Sequence, residues 1–457
     1  MHDLTKGSET RLIILFSIPM LIGNLFQQLY NMVDSIVVGN WVGKEALAAV
    51  GASFPVIFLL LSLFMGFSMG SNILIAQYQG AKDEEKVKLA IETTYIFTFW
   101  ASLVLMVIGF FGAEPVMRLL QSPPEVLPQA SLYLRIFSLG MLPSLGFNTI
   151  SGILRGLGDS RTPLYMLLVS TGINIVLDLV FVIFFGWGVA GVALATIISQ
   201  TVSLIGSAWW LNRKHKLLKV NFLQLRFNRD IFMLSIKIGI PSGIQQSLVA
   251  LGISAMTGIV NSFGTDAIAG YAAATRLDSL ASLPSMTIAM ALSTFVGQNL
   301  GARMPHRVKR GLNASLILSV SISVLAAIIF LVFGKELIGM FNRDPGVIRI
   351  GYSYLQIIGP CFVLFSVMFM YNGIIRGAGD TFMPLINTIV AMWLIRVPAA
   401  ILFSRLFGVT GVWMAFPTGW LVGTIAGFFY YRSGHWLKIF ERIHGHDKHI
   451  AAELGSD

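Results

Sequence analysis

From the first residues to about Tyr431 the chain is a succession of apolar runs, each roughly 20 residues long, the length an α-helix needs to cross a bilayer. In hydrocarbon a backbone N–H or C=O finds no water, so a spanning segment must satisfy its own hydrogen bonds, as a helix does. Broken at charged or Gly/Pro-rich turns, the hydropathy gives twelve candidate spans, at about 12 to 38, 46 to 77, 89 to 112, 131 to 153, 163 to 185, 189 to 211, 231 to 262, 267 to 298, 311 to 333, 349 to 373, 384 to 404 and 409 to 431. Only 12% of the residues are charged, against about 25% in a soluble globular chain. The chain reads as an all-α polytopic membrane protein without room for a sizeable soluble domain.

The start, "MHDLTKGSETRLIILFSIPMLIGNLF", has a polar opening and an apolar body but no small-residue cleavage site. It is expected to stay as the first helix and not to be a signal peptide. The single cysteine, Cys361, lies in an apolar run and is expected to be a buried, inert thiol.

The formal charge of +10 raises nucleic-acid binding, but its distribution answers a different question. With the N-terminus in the cytosol, alternate connections hold 22 of the 32 Lys and Arg, from Lys6 and Arg11 through Arg213, Lys214, Lys216 and Lys219 to Arg442 and Lys448. The opposite side holds six (Lys44, Arg118, Lys335, Arg343, Arg349, Arg405), and the spans hold four. The positive-inside rule then puts both termini in the cytosol. The basic balance is a topology signal, and no nucleic-acid partner is expected.

The chain also repeats itself. "GILRGLGDSRTP" at 152 to 163 and "GIIRGAGDTFMP" at 373 to 384 share seven of twelve positions at an offset of 221. "QYQGAKDEEKVK" and "QNLGARMPHRVK", from Gln77 and Gln298, share five of twelve at the same offset, and "GKEALAAVGAS" and "GTDAIAGYAAA", from Gly43 and Gly264, fit it too. The expected organisation is an N-terminal six-helix lobe at 1–211, a basic cytosolic linker at 212–230, a C-terminal six-helix lobe at 231–432 and a polar cytosolic tail at 433–457. An even number of spans per half makes the repeats parallel, related by a pseudo-two-fold axis along the membrane normal. Transporters with two such halves run their substrate path between them.

Charges inside spans are costly and usually face a polar interior. Gln27, Asn31 and Asp34 stand at i, i+4 and i+7 of the first helix, and Thr171, Asn174 and Asp178 at i, i+3 and i+7 of the fifth, each set on one helix face. Both carboxylates fall in the outer halves of helices running the same way, so one outward-facing pocket in the N-terminal half can hold them. Two carboxylates in a poorly hydrated pocket do not easily ionise together, which makes the pair a proton or cation site. At the 221 offset Asp34 falls on Ala255 and Asp178 on Ala399. A carboxylate needed only for the shared fold would recur in both halves.

The C-terminal half carries Arg276 and Asp278 in its second helix and Arg396 in its fifth. Residues two apart on a helix do not face each other, so Arg396 with Asp278 is the pair to consider. It reads first as a structural ion pair, with substrate or ion handling as the alternative. The Met and aromatic residues suit varied apolar ligands, yet most simply pack helices or meet lipid. "RGLGD" lacks the Lys-Ser/Thr ending and preceding strand of a phosphate loop, and its recurrence as "RGAGD" marks a tight helix connection. No paired-His metal motif, Ser nucleophile elbow or Cys cluster stands in any span. Neither an enzyme nor a metal site is expected.

The first-helix string "IPMLIGNLFQQLYNMVDSIVVG", the twin "GxxRGxGDxxxP" turns at 152 and 373, and "NIVLD" in the fifth helix resemble the MATE (multidrug and toxic compound extrusion) family, specifically its DinF-like branch. The resemblance covers essentially the whole chain. It implies a secondary antiporter of the bacterial cytoplasmic membrane, expected as a monomer among membrane lipid. Such a protein expels lipophilic, often cationic small molecules against inward protons or Na+, with no cofactor beyond the ion gradient. The branch's coupling carboxylates match Asp34 and Asp178, and its hydrogen-bonding partners resemble Asn174, Thr196 and Tyr133; the last two rest on the resemblance alone. The NorM-like branch carries an acid in the seventh helix, where this chain has Gln245 and Gln246, and an aspartate in the tenth, where it has none. Proton coupling through the N-terminal lobe is therefore expected over sodium in the C-terminal one. A lipid-linked precursor flippase is the rival, predicting a basic groove for which only Arg276 and Arg396 are available. A channel or receptor would need neither coupling acids nor rocking halves.

Overall fold

The structure is a computed structural model that describes residues 3–214 and 224–444. His2, the linker stretch 215–223 with His215, Lys216 and Lys219, and the tail 445–457 with His446, Lys448 and His449 lie outside the described residues. Among the described residues there is no strand.

The helices are α1 (Glu9–Val42), α2 (Lys44–Gly80), α3 (Glu84–Leu119), α4 (Leu127–Leu139), α5 (Met141–Gly156), α6 (Arg161–Phe184), α7 (Gly188–Lys214), α8 (Arg229–Asn261), α9 (Thr265–Gly301), α10 (Pro305–Gly339), α11 (Pro345–Gly377), α12 (Phe382–Phe407), α13 (Val409–Arg432) and α14 (His435–His444). Among the described residues eleven helices are long and apolar enough to cross a bilayer, and α4 with α5 makes a twelfth span bent by 53°. The bend falls at Gly140, where a Cβ would come within 2.4 Å of the Ile197 side chain of α7. Outward faces are apolar, as lipid-facing helices require: Phe111 is 73% exposed and Ile317 70%. The short α14 buries Trp436, Leu437 and Phe440, and the Trp436 indole donates to the Tyr431 carbonyl at 3.0 Å.

The chain forms two compact units, one of Met1–Asp3 and Ile18–Gly243, the other of Leu4–Ser17 and Ile244–Asp457. Lipid tails give helices no hydrophobic reason to associate with each other, so close backbone approach and hydroxyl hydrogen bonds do that work. In the first unit α3 buries Thr94, Thr98 and Ser102 on one stripe, and Thr98 bonds Thr149 of α5 at 2.9 Å. In the second, α10 buries Ser315, Ser319 and Ser323 at the positions 221 residues later. Ser319 donates to Ser285 of α9 at 3.0 Å, Ser285 bonds Ser366 of α11 at 2.8 Å, and Ser323 also bonds Ser366. Gly377 of α11 runs so close to α9 that a Cβ would lie 2.5 Å from the Ser293 carbonyl.

The twin glycine-rich turns close alike. Gly158 and Gly379 have φ of 85° and 93°, a region open to glycine without strain. Asp159 then accepts from Arg161 N at 3.1 Å, Thr162 N at 3.0 Å and the Thr162 hydroxyl at 2.7 Å, capping α6, while Asp380 accepts from Met383 N at 3.2 Å and starts α12.

The opening segment is tied into the second unit residue by residue. Leu4 N donates to Gln298 at 3.2 Å and Asn299 donates to the Leu4 carbonyl at 3.1 Å. Arg307 donates to Asn299 Oδ1 and to the Gly7 carbonyl, both at 2.9 Å, and pairs with Glu9 at 3.1 Å. Leu4, Ile13 and Phe16 are buried.

Candidate functional site

In the first unit α1 and α6 bring Asp34, Asn174 and Asp178 together. Asn174 and Asp178 are fully buried. Both carboxylates are acceptors, so the Asn174 amide presents its nitrogen to them: Nδ2 donates to Asp34 Oδ1 at 3.0 Å and to Asp178 Oδ2 at 3.2 Å. One amide thus bridges two acids from two helices. Asp178 Oδ1 and the Thr171 hydroxyl are buried beside it with no hydrogen-bond partner among the described residues. Tyr30, one turn before Asp34, donates to the Thr196 hydroxyl of α7 at 3.0 Å. Tyr133 of α4 is 7% exposed and within electrostatic range of both aspartates.

The local backbone explains the convergence. Val38–Val42 and Val180–Phe184, the ends of α1 and α6, are π-helical turns that begin four residues after Asp34 and two after Asp178. Such wide turns break the ordinary register and recur at functional sites. Against them packs an apolar cluster of Val37, Val38, Tyr133, Val182, Val189 and Val192, which keeps water from the carboxylates on that side.

Asn31 and Gln27 are not brought to the acids. Both are exposed, and the Asn31 carbonyl accepts from the Ser35 hydroxyl at 2.8 Å. The polar spacing of the first helix pointed to the 27/31/34 face, whereas the buried residues are Tyr30, Val37 and Val38, with Asp34 half-buried among them. Tyr30 is the residue that sequence reasoning missed; its i, i+4 relation to Asp34 was the available signal.

In the second unit Gln245 donates to the Pro384 carbonyl at 3.1 Å and the Thr388 hydroxyl at 2.9 Å, and accepts from Arg376 at 3.0 Å. It ties α8 to the second glycine-rich turn. Arg276 is exposed, with its guanidinium 5.9 Å from the Phe341 ring centroid. Asp278 lies instead among Tyr354 and Arg396.

The family model described as MatE matches the chain twice, over residues 19–180 and 241–402. The chain belongs to the MatE family. The two matches begin and end 222 residues apart. The probable multidrug resistance protein YpnP of Bacillus subtilis (strain 168) is 32% identical over 442 residues, covering 96% of this chain and 99% of that protein. A MATE crystal structure in the bent conformation superposes with a TM-score of 0.90 at 25% identity, covering 96% of this chain and 98% of that one. An outward-facing multidrug resistance MATE family transporter of the MOP superfamily gives 0.88 at 26% identity, with the same coverage. As a MATE protein the chain is a multi-pass membrane transporter of small molecules and not an enzyme.

Proposed function

We propose that this MATE protein is a secondary antiporter of the DinF-like branch. It exports lipophilic, often cationic compounds from the cytosol across the bacterial plasma membrane in exchange for inward protons, with both termini cytosolic. The observation that carries the reading is the Asn174 amide held at 3.0 and 3.2 Å from Asp34 and Asp178. Of that acid pair Asp178 is buried and Asp34 half-buried, and Ala255 and Ala399 replace them at the repeat positions. The names of relatives such as YpnP support drug export, and the distribution of Lys and Arg supports the orientation.

In the outward-open state a proton from outside neutralises the acid pair. The pocket then rearranges the bonds among Asp34, Asn174 and Asp178, α1 bends near Pro19 or Gly23, and the hold on the exported compound weakens. Deprotonation toward the cytosol restores the binding form. Export and proton entry are coupled because proton and compound favour different states of one equilibrium. Tyr30, Thr196 and Tyr133 position the carboxylates and restrict water. The ion gradient is the only driving agent, and sodium is the alternative ion. The test is Asp34→Asn and Asp178→Asn in inverted vesicles. Each is expected to abolish uptake of a fluorescent cation driven by a pH gradient while leaving membrane insertion intact, and preserved uptake sinks the proposal.

A further inference from the structure

The second unit holds a set of intramembrane polar groups that the proton cycle leaves unused. Arg396 is the last residue of another π-helical stretch, Ile389–Arg396 in α12. Its guanidinium lies 4.9 Å from the Phe416 ring centroid and 5.5 Å from that of Trp420, both on α13. Gly419 makes room for it: a Cβ there would come within 3.2 Å of Arg396 Cβ and Nε. The rings satisfy the cation's faces but supply no acceptor to its edge. Asp278 of α9 and Tyr354 of α11 lie within electrostatic range of it, as does Tyr271. Arg396 Nε, Asp278 Oδ1 and the Tyr354 hydroxyl are all buried; Tyr354 lies beside Asp278, and none of the three atoms makes a hydrogen bond of ordinary geometry among the described residues. Tyr354 is 0% exposed.

A donor, an acceptor and a hydroxyl left unpaired in one neighbourhood call for an explanation, because buried polar groups are nearly always bonded. An ion pair kept only to join helices would close on itself and satisfy those atoms. The repeat gives a second indication. Tyr354 stands 221 residues after Tyr133, so the two lobes build around equivalent tyrosines, one with two carboxylates and the other with a carboxylate and a guanidinium. Arg396 and Asp278 already cancel in charge, and a ligand bringing net charge into this interior would leave it uncompensated.

We propose that Arg396, Tyr354 and Asp278 form a binding site for a zwitterionic group, one carrying an oxyanion and an N–H donor together. The oxyanion accepts from Arg396 Nε and the Tyr354 hydroxyl, and the N–H donates to Asp278 Oδ1. Such a group comes either from an exported amphoteric compound or from a zwitterionic lipid headgroup. The inference rests on the reading of the chain as an exporter but not on proton coupling.

The test is calorimetric titration of the full-length protein in phosphatidylglycerol nanodiscs with three probes on one ring: 4-(aminomethyl)benzoic acid, 4-methylbenzoate and 4-methylbenzylamine. The zwitterion is expected to bind about tenfold more tightly than either singly charged probe, the worth of one well-placed polar contact. Arg396→Gln and Asp278→Asn should each remove that preference. Arg396→Lys, which keeps the charge but not the Nε edge, should weaken the zwitterion by about tenfold, so the proposal stays testable where Gln does not fold. Adding phosphatidylethanolamine separates the sources: competition with the probe assigns the site to lipid, and unchanged affinity assigns it to the exported compound. Equal affinity for the three probes, or a zwitterion preference that survives Arg396→Lys and Asp278→Asn, overturns the site. Proton-driven transport of a fluorescent cation by the same purified protein in proteoliposomes keeps a failure here distinct from a failure of the antiport reading.

Discussion

Arg307→Ala should free the opening segment of the chain from the second unit. Arg307 makes three charged contacts, with Asn299 Oδ1 at 2.9 Å, the Gly7 carbonyl at 2.9 Å and Glu9 at 3.1 Å. Its side chain is 12% exposed and that of Glu9 16%, so water replaces little of what is lost. Hydrogen bonds to charged groups contribute about 1.5 to 3 kcal/mol each, but these three share one guanidinium and do not add. Breaking a largely buried pair from one side costs about 3 to 5 kcal/mol. The lower end applies, because the Leu4 contacts with Gln298 and Asn299 remain. About 3 kcal/mol is roughly a hundredfold in the equilibrium for opening the segment. Hydrogen exchange of the amides of Leu4–Ser17 in nanodiscs reads that equilibrium directly. The expected result is roughly hundredfold faster exchange in Arg307→Ala, and about tenfold in Glu9→Gln, which removes one contact of the three. Exchange within about threefold of wild type in both variants, less than 1 kcal/mol, would refute the assignment of Arg307 as the clamp.

Asn174→Ala removes the amide that bridges the two acids and should lower proton-driven efflux by at least about tenfold, the worth of one lost charge-assisted bond, at unchanged expression. Tyr30→Phe and Thr196→Val delete the two ends of one 3.0 Å hydrogen bond. Each should cost about 1 kcal/mol in thermal unfolding, and the double variant should cost less than the sum. Gly377→Ala forces a methyl to 2.5 Å from the Ser293 carbonyl and should destabilise the protein by about 1 to 3 kcal/mol, read as a lower midpoint in detergent. Ser319→Ala removes one hydroxyl of the Ser285/Ser319 bond and should cost only about 0.6 kcal/mol, the average for hydrogen bonds between membrane helices.

Span positions and the repeat were legible because membrane insertion demands long apolar runs, and because two copies of one unit keep their turn residues in register. Asp34, Asn174 and Asp178 stood out for a related reason: a charge in lipid is too costly to be incidental. The face of α1 that turns inward was not legible. Residues 30 and 31 stand about equally close to Asp34 on a helical wheel, and the side chain that packs is the larger and less polar Tyr30. The π-helical turns carry no composition signature, since they arise from packing and not from propensity. The opening segment's place among the second unit's residues was equally hidden. Its hydrogen bonds join Leu4 and Gly7 to Gln298, Asn299 and Arg307, about 300 residues apart in sequence, where no local pattern reaches. The stripes of Thr94, Thr98 and Ser102 and of Ser315, Ser319 and Ser323 were in principle readable at the 221 offset. They blend into apolar helices because a lone hydroxyl every fourth residue barely lowers the hydropathy of a span, and its partner on another helix, as for Thr98 and Thr149 or Ser319 and Ser285, is not visible in the sequence.

The central claim is that the acid pair exchanges a proton for the exported compound, and the most direct measurement is proton release on binding. The purified protein, in weakly buffered detergent with a pH indicator, is mixed with a fluorescent lipophilic cation. The account predicts release of about one proton per cation bound by wild type, as linkage between the two ligands requires, and none by Asp34→Asn or Asp178→Asn. Binding of the cation by wild type without proton release, or release undiminished in both variants, would contradict it.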